Sequence, residues 1–411
     1  MSFFRRHRIY LDYASAPPVL HEAVAAMREA ERLVGNPGAI HTEGVAAKKS
    51  LEDSRARIAA LLGCKARELI FTSGLTESNN LAVIGYARKL EFLRSVLKGA
   101  QGRTLENTHW ILSSIEHDSV LEAFSEVERL GGTVSHVGPD ERGIVLPETI
   151  ERALRSETVF VSVGWANNEI GTIQLLAKIA RVLREYEKKN GIQIALHADA
   201  GQGPLYLPTL VHSLGVDMLS VGSNKLYGPH GIGALYLGNR VKLAPVVVGG
   251  KQERGLRAGT ENVALAAGFA AAFEIVARER DAEAKRLQKL RDELARELVA
   301  HLPKVVVNGD LKHTLPHMLN VSIPKSASWR TSEYLTLALD HAGIAVSTKS
   351  ACREGEESRS HVVEALGPAG SAEPAGWRAE NTLRFSLGRE TTAADVQRVV
   401  SVLSDVVKKV F

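Results

Sequence analysis

Between Leu20 and Cys352 the apolar residues follow two spacings. Leu20, Val24 and Met27, then Leu51, Ile58 and Leu62, recur at helical intervals. By contrast, Leu69–Thr72, Trp110–Ser113, Thr158–Val163, Ile192–Leu196 and Met218–Val221 are short strand-like runs. A short continuous apolar run predicts a strand buried on both faces, and a spacing of three to four predicts a helix with one apolar side. Helical stretches separate most of these runs, as at 175–186, where Ile179, Val182 and Leu183 share a face. Strands alternating with helices in this way predict an α/β domain whose mainly parallel sheet is covered by helices on both sides.

The pattern changes near Thr260. A segment rich in Ala, Glu, Arg and Leu, 262–301, predicts one long helix that leaves the large domain and enters a smaller one. Apolar runs at Leu319–Ile323, Ile344–Val346 and Leu383–Ser386, with a last helix from about 392 to 410, predict a small α+β domain. The expected division is a large domain at 16–261 and a small domain made of 1–15 and 262–411.

Composition narrows the function. The 411 residues are 45% hydrophobic and 24% charged, as in an ordinary globular protein, and 5% aromatic, so aliphatic side chains must fill most of the core. A net charge of +4 is small for this length and argues against nucleic acid or an anionic membrane as the primary partner. Two cysteines, Cys64 and Cys352, cannot staple so long a chain, which points to a reducing, cytoplasmic setting. The first residues carry basic groups without the apolar stretch of a secretory signal. No window has the roughly 18 apolar residues of a membrane helix.

Four places carry candidate chemistry. Thr72–Asn80 follows a strand-like run and opens a helix, where a glycine turn exposes backbone N–H groups to an anion, with the hydroxyls of Thr72, Ser73 and Thr76 as further donors. The same residues also read as a simple helix cap. Asp199 ends the run that begins at Leu196, and acids at the carboxyl ends of parallel strands stand over the ligand crevice. There a carboxylate could hold a pyridinium nitrogen, although a helix cap or a metal ligand is equally compatible. Lys225 lies just after the run ending at Val221, in a loop stiffened by Gly228, Pro229 and Gly231. A lysine so placed could form a Schiff base, or be one more surface charge. Cys352 lies in a polar segment beside Gly355, where reactivity explains a thiol better than packing does. Lys349 and Arg353 would favour its thiolate, while Glu354, Glu356 and Glu357 would oppose it. Cys64, after Leu61-Leu62-Gly63, reads as a core or helix-end residue.

The order of these pieces resembles the cysteine desulfurases, pyridoxal 5'-phosphate enzymes of the class V aminotransferase fold. The resemblance is to the branch that feeds iron–sulfur cluster assembly and tRNA thiolation. It spans YLDY at Tyr10–Tyr13, NPGAIHTEG at Asn36–Gly44, TSGLTESNN at Thr72–Asn80, EHDSV at Glu116–Val120 and ANNEIGT at Ala166–Thr172. It continues through HADAGQ at His197–Gln202, KLYGPHGIG at Lys225–Gly233, QERGLRAGTEN at Gln252–Asn262, SAC at Ser350–Cys352 and RFSLGR at Arg384–Arg389.

The resemblance implies a fold type I pyridoxal-phosphate transferase and assigns roles by position. Lys225 would hold the cofactor, His117 would stack on its ring and relay protons, Asp199 would pair with the ring nitrogen and Gln202 with the phenolic oxygen. Leu75, through its N–H, and Thr76 would bind the phosphate together with Ser223 and Asn224. Thr260 would reach the phosphate from the other subunit of a homodimer. Asn168, beside the cofactor, and Arg384 would hold the carboxylate of L-cysteine, and Cys352 would take its sulfur as a persulfide for a protein acceptor. No metal is implied.

Several positions depart from the family's pattern. Asn224 stands where His is usual before the lysine, and Gly222 where Ser is common. Lys251 replaces the third Gly of a GGG run, Lys349 the Gly of GSAC, and Ala16 and Pro17 the usual Thr-Thr pair. The acidic stretch after Cys352 suggests a basic acceptor. Two other readings stay open: a selenocysteine lyase or other class V enzyme, and a catalytically idle scaffold for sulfur-assembly partners.

Overall fold

The computed structural model describes residues 8–98, 105–302, 304–324, 332–348, 359–367 and 376–408, with backbone alone for 92–98. The described strands, in chain order, are β1 (Ile9–Tyr10), β2 (Leu69–Thr72), β3 (His109–Ser113), β4 (Thr133–Val137), β5 (Thr158–Ser162) and β6 (Ala195–Asp199). They are followed by β7 (Met218–Gly222), β8 (Gly233–Leu237), β9 (Val306–Val307), β10 (Met318–Ser322), β11 (Ile344–Ala345) and β12 (Thr382–Ser386).

Seven strands form the central sheet in the order β2-β8-β7-β6-β5-β3-β4. β3 pairs in parallel with β4 and β5, and β5, β6 and β7 continue in parallel. β8 is antiparallel to both neighbours, β2 and β7, so it alone runs against the rest. The reason is the connection: a parallel return needs a crossover of a dozen or more residues, and only ten residues join β7 to β8. The expected mainly parallel α/β sheet is what the chain forms.

Two strands of this sheet escape the hydrophobic pattern. β4 lies at the edge and carries Ser135 and His136, while β8 opens with a glycine, so neither presents a plain apolar run. The run expected at Ile192–Leu196 is displaced to β6, Ala195–Asp199. Gly191, in the left-handed conformation, ends the helix Leu176–Asn190, and the next residues return the chain to the sheet. Polar residues obscured the second half of β6. His197 is fully buried there, but its ring nitrogens bond Ser162 Oγ (2.9 Å) and Ser220 Oγ (3.0 Å), which satisfies them.

The long helix spans Val263–His301 and is capped by Asn262, whose side chain accepts from Leu265 N at 2.9 Å. It packs against the helices His21–Ala30, Thr42–Leu62 and Ala393–Lys408. Beyond it, β10 pairs antiparallel with β9 and β12. The N-terminal strand β1 pairs in parallel with β11, and Asp12 bridges Ser386. These pairings carry the first residues of the chain alongside β12, which bears Arg384. Among the described residues no helix is long and apolar enough to cross a membrane.

Candidate active site

Because β2, β5, β6 and β7 run in one direction, the segments that leave their carboxyl ends converge at one edge of the sheet. They line a cleft of about 340 Å³ with Ser73–Glu77, Gly164, Ala166–Asn168, Asp199, Gly201, Gln202, Asn224 and Lys225. His117 and Glu116 close one side and Arg384 and Ser15 another. Nine residues expected at the site therefore meet there: Leu75, Thr76, His117, Asn168, Asp199, Gln202, Asn224, Lys225 and Arg384.

Lys225 lies in the single helical turn Ser223–Leu226 after β7, and the turn ends at Tyr227 with φ 58°. Its Nζ donates to Ala14 O (2.8 Å) and Ser15 O (2.6 Å). Gln202 Nε2 donates to the same Ala14 O at 2.8 Å. Arg384 is nearly out of solvent and donates to Asp12 Oδ1 (2.7 Å), Ser15 Oγ (2.7 Å) and Asn168 O (2.9 Å). One N-terminal segment, 12–15, thus touches the lysine, the glutamine and the arginine.

Asp199 accepts from Gly201 N (2.8 Å) and from Asn79 Nδ2 (2.7 Å). His117 caps the helix Asp118–Arg129: its Nδ1 accepts from Ser119 N (3.1 Å) and lies 2.9 Å from Ser119 Oγ. A backbone N–H can only donate, so in the neutral ring the proton sits on Nε2. Beside it, burial and the nearby Asp199 charge push the Glu116 carboxyl up to about 7, against the hydrogen bond from Gly164 N. That bond is 2.7 Å long.

The helix Leu75–Lys98 opens into the cleft after Gly74, whose φ of +153° suits glycine. Glu77 accepts from Ser73 N (2.7 Å) and pairs with Arg257 (2.9 Å). Burial opposes its ionisation, but the bonds from Arg257 and Ser73 hold its carboxyl below the usual range. Thr72, expected as an anion donor, turns inward instead and bonds Ser78 Oγ at 2.7 Å. A polar side chain at the end of a fully buried strand finds its nearest partner inside the protein.

Two expected residues lie elsewhere, and a third falls outside the described residues. Ser223 is fully buried with its Oγ against Gly228 and does not line the cleft. Thr260 is exposed and lines a separate cavity with Arg257 and Glu253. Cys352 lies outside the described residues. Cys64 is half-buried against the main core, and burial pushes its thiol up to about 12, in keeping with a packing role.

The cleft's donor set fits pyridoxal phosphate. An amine, a carboxylate and an imidazole face one space, and the opening turn of a helix supplies N–H groups for a phosphate. Gln202 Oε1 and Arg384 Nε, on two residues that line this space, are buried without a hydrogen-bond partner among the described residues. Buried polar atoms left unmatched in this way mark where a polar ligand completes the site.

A fold of this topology with a lysine, an acid and a histidine in the cleft at its strand ends defines a class of cofactor enzyme. The sequence profile of the aminotransferase class-V family matches residues 9–399, so the chain belongs to that family of pyridoxal-phosphate enzymes. Within it, the chain is 36% identical to a cysteine desulfurase IscS of Dictyoglomus turgidum, over 98% of this chain and 95% of that one. It is 39% identical to cysteine desulfurase IscS 1 of Archaeoglobus fulgidus, over 97% of each. A solved NifS-like protein superposes with a TM-score of 0.85 at 31% identity, covering 98% of this chain and all of that one. A solved SspA in complex with cysteine gives 0.74 at 30% identity, over 92% and 98%.

Sequence reasoning missed Asn79, Ser119, Glu116, Ser15 and Asp12 as parts of the site. Asn79 and Ser119 lie in motifs already singled out, but their roles depend on which strand ends they face. Ser15 reaches the cleft, and Asp12 reaches Arg384, through the pairing of the N-terminal segment with β11 and β12.

Proposed function

We propose that the chain is a pyridoxal-phosphate-dependent cysteine desulfurase that converts L-cysteine to L-alanine and leaves sulfur as a persulfide on Cys352. The observation that carries this reading is the shared cleft of Lys225, Asp199, His117 and Arg384. When bound, the cofactor acts as the electron sink that makes the substrate α-proton acidic. Lys225 would hold it and then use its amine to move the proton from the α-carbon. Asp199 would keep the ring nitrogen protonated, His117 would cover the ring face and Gln202 would face the phenolic oxygen. The N–H of Leu75, Thr76 and Asn224 would bind the phosphate, with Ser223 bracing the turn. Arg384 and Asn168 would hold the substrate carboxylate.

Cys352 thiolate would attack the substrate sulfur. The carbon–sulfur bond breaks, its electron pair stays with carbon, and a proton taken up there completes alanine. The persulfide then passes to a protein acceptor for cluster assembly or tRNA thiolation, and the acidic Glu354, Glu356 and Glu357 favour a basic one. The reading includes a cytoplasmic homodimer in which Thr260 reaches its partner's phosphate site. Two features support a second copy: Thr260 stands outside its own cleft, and Val34, Ile40 and Val248 are exposed apolar side chains.

The test is an absorbance spectrum of purified protein followed by alanine and sulfide assays with cysteine. A visible cofactor band lost in Lys225→Ala, and sulfur release lost in Cys352→Ala with the band intact, is the expected result. A band without cysteine-dependent alanine would redirect the assignment to another substrate such as selenocysteine; no band at all would favour a scaffold.

A further inference from the structure

Asp199 and His117 sit on different elements, the end of β6 and the start of the helix Asp118–Arg129. Asn79 links them from a third. Its Nδ2 donates to Asp199 Oδ2 at 2.7 Å and to Ser119 Oγ at 2.9 Å, and Ser119 Oγ lies 2.9 Å from His117 Nδ1. Asn79 is completely buried and Ser119 nearly so.

The direction of each bond follows from the donors. A carboxylate accepts, so the amide must turn its NH₂ towards Asp199, which leaves Asn79 Oδ1 buried without a partner among the described residues. The second N–H of that NH₂ makes Ser119 Oγ an acceptor, so the hydroxyl proton is left to point at His117 Nδ1. That nitrogen already accepts from Ser119 N, so both contacts present donors to it. The chain of bonds therefore reads Asp199 ← Asn79 → Ser119 → His117. Packing alone gives no reason to retain an amide whose carbonyl is buried and unmatched. Holding two groups on separate elements in a common orientation does.

We propose that Asn79 is a positioning residue that couples the orientation of Asp199 to the orientation and tautomer of His117 across the cofactor ring. It acts as a strut and carries no proton, because its amide donates to both sides and cannot accept from either. Asn79 sits one helical turn beyond Leu75 and Thr76, on the helix whose opening turn would meet the phosphate. One rigid helix thus ties the phosphate end of the site to both ring-facing groups. The inference rests on the cofactor roles proposed above for Asp199 and His117.

The test uses the cofactor-loaded enzyme and follows its visible absorption band against pH in the absence of cysteine. Wild type is compared with Asn79→Ala, Ser119→Ala, His117→Ala, Asp199→Asn and the Asn79→Ala/His117→Ala pair. Asn79→Ala and Ser119→Ala are each expected to move the titration midpoint by roughly half a unit, about threefold in the proton equilibrium. The double variant should move less than the sum of its single changes, because the two residues act through one chain of bonds. Ser119→Ala removes one oxygen and keeps the inference testable where Asn79→Ala fails to fold. A midpoint that moves in His117→Ala but stays at the wild-type value in Asn79→Ala and Ser119→Ala overturns the coupling while leaving the site reading intact. A midpoint unmoved by His117→Ala and Asp199→Asn overturns the site reading and the inference with it.

Discussion

Asp12 holds Arg384 by a 2.7 Å ion pair in which the guanidinium side chain is only 2% exposed and the carboxylate 17%. A cation this deeply buried is costly unless paired, and among the described residues Ser15 Oγ and Asn168 O complete its partners while Nε is left without one. The N-terminal segment thus presents the arginine to the cleft with one side anchored. Asp12→Asn keeps the shape and loses the charge. Its expected effect is a rise in KM for cysteine of roughly tenfold, with kcat changed far less, since a charge-assisted bond contributes about 1.5–3 kcal/mol. Steady-state kinetics checks it, and an unchanged KM would show that Asp12 does not set the arginine's pose.

Glu116 makes stability depend on pH near neutrality. Its folded pKa of about 7 lies above the ordinary 4.5 because burial disfavours the anion. A carboxyl with a raised folded pKa contributes stability that is full below its unfolded pKa and is lost as pH rises through the folded one. Wild type should therefore lose stability relative to Glu116→Gln between pH about 4.5 and about 7, by roughly 3 kcal/mol in all. Denaturant titrations of both proteins across that range check it. A pH-independent difference would mean that the carboxyl does not titrate there.

The segment that leads to Thr260 is anchored by a buried ion pair. Glu253, at φ 45°, accepts from Arg55 Nη1 and Nη2, each at 2.7 Å, and from Phe71 N at 2.8 Å. Glu253→Ala removes the bidentate partner of a buried guanidinium, leaving it the partly exposed Glu52 and Leu69 O, and strands an edge-strand N–H. The expected cost is about 3–5 kcal/mol, read as a lower denaturation midpoint. Arg57→Ala, which breaks a half-exposed pair with Glu274, should cost less than about 1 kcal/mol in the same assay.

Gly222 and Leu75 are matched in size. A Cβ on Gly222 would lie 2.7 Å from Leu75 Cγ, and one on Gly201 would lie 3.0 Å from Leu75 Cδ1, so the leucine fills the floor of the cleft between two glycines. Gly222→Ser is expected to destabilise by about 1–3 kcal/mol through overpacking, and Leu75→Ala in the same chain should recover most of it. Thermal denaturation of the single and double variants checks it. A serine tolerated beside Leu75 would show that the helix opening can shift.

Much of the fold was legible because burial on both faces leaves uninterrupted apolar runs, as at Leu69–Thr72 and Met218–Val221. β4 and β8 were not, since an edge strand needs few apolar residues and a glycine-led strand shows no period. The site was legible where a residue follows a strand directly, as Asp199 and Lys225 do. It was not where the contact depends on which elements become neighbours.

The sequence by itself determined the alternation of strand and helix, the lysine, acid and histidine of the cleft, and the family to which the chain belongs. Only the tertiary structure decided that Thr72 turns inward, that Ser223 stands behind the cleft, and that Asp12 and Ser15 reach Arg384. It alone brought Asn79 between Asp199 and Ser119, 120 and 40 residues away along the chain. The physical reason is range. Periodicity and turn chemistry act within a few residues, whereas a hydrogen bond between distant residues exists only once the sheet has set the order and direction of its strands.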